Sequence, residues 1–387
     1  MKKSISGISD YFLNTDKFLW LLTIATTVYS LLLIKSMQRA GDYNYVRTQL
    51  IAIVIGYICA VIISVIDYEY IINAWWILAA IGLIMTFLVF FMGIKVQGTV
   101  MNQAWIRLPG GYTVQPSEYT KIIFIITLSK HLSYLNSKGK LKTFLGFMTL
   151  ALHALVPTVL IHLQGDDGTA IVFFGMFLIM LFMAGIQWRY FAVFAVLLGA
   201  GLPLLWTHLL NNDQKNRIMS LFDLDGNALT TYGWQQYQSK VSIASGGLQG
   251  YGLFHGPRVA QAIVPEQEND FIFTVSGEEL GFIGCMFLLL ILLAIMFKLM
   301  YNASKARDDT GKYICFGVFS IIFLQTTINI GMVLGLLPVI GLTLPFFSSG
   351  GTSCISLFLA MGLVQSVYMH RNNSENVKVK MNIDRRI

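Results

Sequence analysis

The residues of this 387-residue chain that could do chemistry are few, and most are carboxylates at the edges of apolar runs. They fall in four places: Glu118 with Lys121, Asp166 with Asp167, Asp270, and Glu278 with Glu279. A carboxylate carried to the middle of a bilayer costs at least ~2.5 kcal/mol, so each needs a partner or a task. Glu118 and Lys121 have the i, i+3 spacing that brings two side chains to one side of a helix. There they form a structural ion pair or shape the base of a polar cavity. Asp166 and Asp167 lie in the tight turn Gln164-Gly165-Asp166-Asp167-Gly168-Thr169. One of them caps the helix that follows, or the two attract a cation that bridges a phosphate. Asp270 closes a long connector just before Phe271-Ile272-Phe273. Either it or Asn269 caps the next helix, and if Asn269 does, Asp270 is free to take a proton or hold a divalent cation. Glu278 and Glu279 follow on the same expected helix, where one returns to the face of Asp270 for an inward polar contact rather than catalysis. Arg217, Lys240 and Arg258, in or beside the connector, supply positive charge to an anionic group or are simply solvated.

The elements that must position these groups are set by composition. The chain is 55% hydrophobic and 12% charged, against about 25% charged in soluble domains. Its solvent is therefore lipid. Cys59, Cys285, Cys315 and Cys354 sit inside apolar runs and read as small packing residues. The six histidines are scattered without metal-ligand spacing, so a metal site built by the protein alone is not expected. The net charge of +7 comes from basic residues in connectors, not on a stripe interleaved with aromatics, which argues against nucleic acid.

At ~20 apolar residues per crossing, ten spans are expected, near 18–34, 49–66, 72–93, 119–135, 143–162, 169–186, 190–208, 271–298, 313–335 and 351–369. The fourth is weak, because it carries Lys121, Lys130 and His131. The expected fold is thus an all-α integral membrane protein, a single domain over 1–387 built as a ten-helix bundle. An even span number puts both termini on one side, and most of the 27 Lys and Arg then fall with them, so the tails 1–17 and 370–387 are cytoplasmic. The first span follows a polar lead with no small-residue cleavage site and reads as a start-transfer anchor. One long external loop, about 209–270, joins spans seven and eight. Its Gly-rich, apolar middle, Ser245 to Leu253, suits packing against the bundle top.

Several stretches, in order, resemble one family. Pro265-Glu266-Gln267-Glu268-Asn269-Asp270-Phe271-Ile272-Phe273 and Gly277-Glu278-Glu279-Leu280-Gly281 resemble the motif after the large loop of SEDS proteins, the RodA, FtsW and SpoVE relatives. Trp105-Ile106, Gln115-Pro116-Ser117-Glu118 with Lys121, and Asp166 with Gly168-Thr169-Ala170 match earlier elements of that family. So do Gln238-Ser239, Ser245-Gly246-Gly247-Leu248, Asn329-Ile330-Gly331-Met332, Leu336-Leu337-Pro338, Gly341, Pro345 and Ser349-Gly350-Gly351-Thr352-Ser353. There are departures. Ala104 replaces the basic residue before the tryptophan, Gly165 a proline, Asp167 a hydrophobic residue, Glu268-Asn269 a His-Thr pair and Ser349 a tyrosine. The added carboxylates strengthen cation binding or are merely solvated.

The resemblance implies a peptidoglycan glycosyltransferase of the bacterial cytoplasmic membrane, RodA-like in its Asn329-Ile330-Gly331-Met332 stretch and short tails. Its substrate would be lipid II and its partner a single-span class B penicillin-binding transpeptidase. A sugar hydroxyl is a poor nucleophile, and a carboxylate that takes its proton contributes roughly 10²- to 10⁴-fold in rate. Asp270 carries that role by resemblance, as base or as ligand of a Mg or Mn ion. Trp105, Glu118, Lys121, Asp166, Arg217, Lys240 and Arg258 are the expected substrate-binding residues, the three loop cations facing the diphosphate. Glu278, Glu279, Ser349, Gly350 and Gly351 are the expected polar and structural support. The competing readings are a lipid-linked precursor flippase, a division or sporulation paralogue, and a scaffold without chemistry.

Overall fold

The computed structural model describes residues 8–38, 44–94, 103–109, 112–222 and 233–371. A short helix α1 (Ile8–Asn14) leads into α2 (Lys17–Met37), followed by α3 (Tyr45–Val65), the single-turn α4 (Tyr68–Asn73) and α5 (Trp75–Met92). Three tiny antiparallel strands, β1 (Gly93–Ile94), β2 (Trp105–Arg107) and β3 (Thr113–Val114), come next. Then come α6 (Pro116–Ser137), α7 (Phe144–Leu163), α8 (Asp167–Met183) and α9 (Trp188–Leu204), which runs on as a π-helical turn. The connector folds α10 (Asn212–Met219), α11 (Trp234–Gly246) and α12 (Pro257–Ala260), and the chain ends in α13 (Ile272–Ser304), α14 (Asp309–Val333) and α15 (Gly351–Met369).

Each of the ten expected segments is helical. Eight helices among the described residues are long and apolar enough to cross a membrane. Of the other two, α8 is apolar but has only 17 residues, and α6 has the length but carries Glu118, Lys121 and Lys130. Residues 1–7 and 372–387 of the expected tails lie outside the described residues, as does the stretch 223–232 of the expected loop.

Small residues bring the helices together where no hydrophobic effect drives them. A Cβ on Gly362 of α15 would lie 2.6 Å from Ala60 O of α3, and one on Gly56 would lie 2.5 Å from the Phe358 ring. The interior is built from α6, α13, α14 and α15, whereas none of the residues of α9 is buried.

The two ends of the bundle differ. At one end the starts of α3, α6, α8, α13 and α15 meet the ends of α2 and α14. At the other, Asp16 takes Lys298 (3.1 Å) and Asn302 (2.9 Å), Arg307 bridges Asp67 and Glu69, and Asn136 reaches Asp309.

The span expected at 271–298 is not one straight crossing. Gly281 adopts φ 64°, ψ −159° and breaks α13 in two, a conformation essentially confined to glycine. The part after it still runs for roughly 34 Å, enough to cross alone. The backbone groups freed by the break are satisfied by the connector. Phe282 and Ile283 N–H donate to Gly247 O and Leu248 O, while Tyr251 and Gly252 N–H donate to Glu278 O and Glu279 O. Only glycine fits at the crossing: a Cβ on Gly250 would lie 2.1 Å from Glu279 O. The Gly-rich middle of the connector is thus a strap closed into a broken helix.

Candidate functional site

Asp270 lies in a turn that several elements hold. The N–H groups of Asn269, Asp270 and Phe271 all reach Glu266 O, at 3.1 to 3.2 Å, with Glu266 at φ 56°. From α14, Asn329 Nδ2 donates to Asp270 O (2.7 Å) and to Leu342 O (2.6 Å). From the segment before α15, Ser348 Oγ donates to Asn269 O (2.5 Å) and Ser349 N–H to Glu268 O (2.8 Å). Tyr45 of α3 donates its hydroxyl to Glu268 at 2.8 Å. The Asp270 carboxyl faces Gly341, where an added Cβ would lie 3.4 Å from Oδ2.

Neither capping expectation at this helix holds. The N-cap of α13 is Phe271, which makes no side-chain cap bond, and Asn269 instead donates its Nδ2 to Glu266 at 2.7 Å. Asp270 is partly accessible, yet protein crowds its carboxyl. Burial first, then the charges of Glu266, Glu268 and Asp166, raise its pKa to about 7.

Asp166 does cap α8, accepting from Thr169 N–H at 3.1 Å, and its other oxygen accepts from Gln115 Nε2 at 2.7 Å. Burial raises its pKa, opposed by those bonds. Asp167 turns elsewhere, to His162 and Gln214. Glu118 and Lys121 pair at 2.8 Å with both side chains buried, and Ser356 of α15 donates to the second Glu118 oxygen at 3.1 Å. Trp105 is half-buried on β2, opposite Ile94. Its sheet is tied to the Asp166 turn by Gln103 N–H to Gln164 O.

The loop cations differ in task. Arg217 donates to Val339 O at 2.8 Å and steadies the turn after α14, which Gln236 also grips through Met332 O and Leu337 O. Lys240 is exposed beside Gly335. Arg258 donates to Ser242 (2.8 Å) and Gln238 of α11. Among the described residues none of the three pairs with a carboxylate.

Glu278 and Glu279 are buried, but not by returning to the face of Asp270, which lies outside the helix. Glu278 accepts from Arg258 and Val259 N–H (2.7 and 3.2 Å), and Glu279 from Phe254 and Gly256 N–H (3.2 and 3.3 Å) and from Ser36. Together they clamp the 254–259 turn that carries Arg258. Gly350 precedes α15 and Gly351 begins it, next to the Ser349 contact.

Sequence reasoning passed over Asn329, Ser348, Tyr45 and Gln115 as site residues. For Asn329 a signal existed, since an amide deep in a membrane-length helix demands a reason. For Ser348, whose carboxyl-turn contact spans 79 positions, none did. No group of three or more His, Cys, Asp or Glu converges to hold a metal ion among the described residues.

The helical membrane bundle with its acid-lined end defines a class of polytopic membrane protein. The chain belongs to the family described as Cell cycle protein, that of FtsW, RodA and SpoVE, which matches residues 14–373. It is 32% identical over 360 residues to the peptidoglycan glycosyltransferase MrdB of Escherichia coli K12, covering 92% of this chain and 94% of that one. It is also 32% identical over 371 residues to the probable peptidoglycan glycosyltransferase FtsW of Geobacter metallireducens, covering 91% and 94%. Among solved structures, a chain from work on the structural coordination of polymerization and crosslinking by a peptidoglycan synthase complex superposes with a TM-score of 0.79 at 25% identity, covering 93% and 99%. The rod shape determining protein RodA of Thermus thermophilus shares the fold, with a TM-score of 0.68 at 24% identity over 93% and 98%.

Proposed function

We infer that this chain is a peptidoglycan glycosyltransferase that polymerises lipid II in the membrane. The observation that carries the reading is Asp270: a carboxyl poised near pH 7 and fixed by α14 and the segment before α15 in a family whose relatives bear this activity by name. The GlcNAc 4-hydroxyl of one lipid-linked disaccharide attacks the MurNAc anomeric carbon of another. Asp270 accepts the hydroxyl proton as the new C–O bond forms, and the bond to undecaprenyl diphosphate breaks, its electron pair leaving with the diphosphate. Arg217 and Lys240, which pair with no carboxylate among the described residues, favour the leaving anion. Asp270 is also the residue that would hold an assisting Mg or Mn ion, although among the described residues no group of three or more His, Cys, Asp or Glu converges to hold one.

In this reading the ten helices all cross the membrane, both termini are cytoplasmic, and the Asp270 end faces outward. The clustering of Lys and Arg in the opposite connectors supports this arrangement. The role is elongation-type, and the partner is a class B penicillin-binding transpeptidase, a reading supported by the likeness to a chain from work on a peptidoglycan synthase complex. The test is incubation of purified protein with labelled lipid II, with and without a cognate transpeptidase. Polymer is expected. Translocation of lipid II without polymer would make the chain a flippase instead.

A further inference from the structure

Between α7, α8 and α9, away from Asp270, lies a cavity of about 370 Å³, within the ~300–1,000 Å³ range of small-ligand sites. Ala151 of α7, Phe177 and Leu181 of α8 and Phe194 of α9 line it. Of its wall residues only Thr158 and Tyr190 are polar, and Thr158 spends its hydroxyl on Ala154 O at 2.8 Å. Such walls hold no water, and an unfilled slot forfeits dispersion contacts. The slot exists because α9 stands off from the bundle. None of its residues is buried, and it meets its neighbours through ring pairs, Phe147 with Tyr190 at 4.6 Å and Phe174 with Phe194 at 5.2 Å.

The Tyr190 end of the slot is cationic. The Arg189 guanidinium lies 5.1 Å from the Tyr190 ring and donates to its hydroxyl at 3.3 Å, and that hydroxyl donates to Lys142 O at 3.4 Å. Arg189, Lys138, Lys140 and Lys142 are exposed, and among the described residues none pairs with a carboxylate. We propose that this slot binds an anionic phospholipid, with one acyl chain between α7, α8 and α9 and the headgroup phosphate on Arg189 and Lys142. Charge complementarity selects the occupant. A zwitterionic lipid brings its own ammonium to a cationic edge, whereas an anionic one does not, and a guanidinium is suited to phosphate.

The test is native mass spectrometry of the delipidated full chain in detergent, offered phosphatidylglycerol or phosphatidylcholine with the same acyl chains. One phosphatidylglycerol adduct is expected at about a tenth of the concentration that phosphatidylcholine requires. Arg189→Gln, on an exposed side chain, should bring the two lipids level, and Ala151→Phe should fill the slot and remove the adduct. Equal binding of both lipids by the unaltered chain, or an adduct indifferent to both substitutions, overturns the proposal. Polymerisation is not the readout, so failure here leaves the assignment of the reaction untouched.

Discussion

Asp270→Asn keeps the shape of the side chain and removes its charge and basicity. Strand polymerisation from labelled lipid II should fall by at least ~10², while the protein inserts normally. Activity within tenfold of the unaltered chain would remove Asp270 from the chemistry. The base must be unprotonated, and its pKa is raised to about 7, so the rate should climb with pH through that value. Glu268→Gln takes away a repelling charge and should move this acid limb to lower pH in a pH–rate profile. The buried Glu118–Lys121 pair is tested by a double-mutant cycle. Either alanine alone strands a charge and should cost ~3 kcal/mol in unfolding experiments, and the double variant should cost less than the sum. At this scale the sequence disclosed the acids well, because each stands out against an apolar background. Their partners were less legible. The i, i+3 pair could be read from spacing, but the Asp270 turn depends on Asn329 and Ser348, 59 and 79 positions from their acceptors.

Helices were legible for a different reason. An apolar run of membrane length leaves the backbone no other way to satisfy its hydrogen bonds, so all ten segments are helical where expected. The break at Gly281 was hidden because Glu278 and Glu279 read as an inward polar contact on one continuous helix and the glycine after them looked like many others. The connector's three helices were also missed, since their stability comes from packing rather than from a strong periodic pattern. Gly281→Ala forces an alanine into a glycine-only conformation, and its Cβ would lie 2.4 Å from Gly250 N. The variant should lose at least ~1–3 kcal/mol, read as a lowered unfolding temperature in detergent and as new protease cleavage between Gly247 and Gly252.

For the molecule as a whole, the mechanism requires Asp270 and the Lys-rich connector to lie on opposite sides of the membrane. With the four native cysteines replaced, a single Cys at the exposed Gln261 should react with an impermeant thiol reagent in intact spheroplasts. One at the exposed Ser137 should react only after permeabilisation. The reverse pattern would place Asp270 on the wrong side for external polymerisation. The strap closed into α13 also bears on assembly. Residues 247–252 are synthesised before Gly281, so the amides of Tyr251 and Gly252 and the carbonyls of Gly247 and Leu248 must wait for these partners until the next helix is delivered from the ribosome. Strap and break therefore form one unit that opens and closes together. In hydrogen–deuterium exchange the amides of Tyr251, Gly252, Phe282 and Ile283 should share a single opening free energy, and a chain truncated before α13 should leave the first two unprotected.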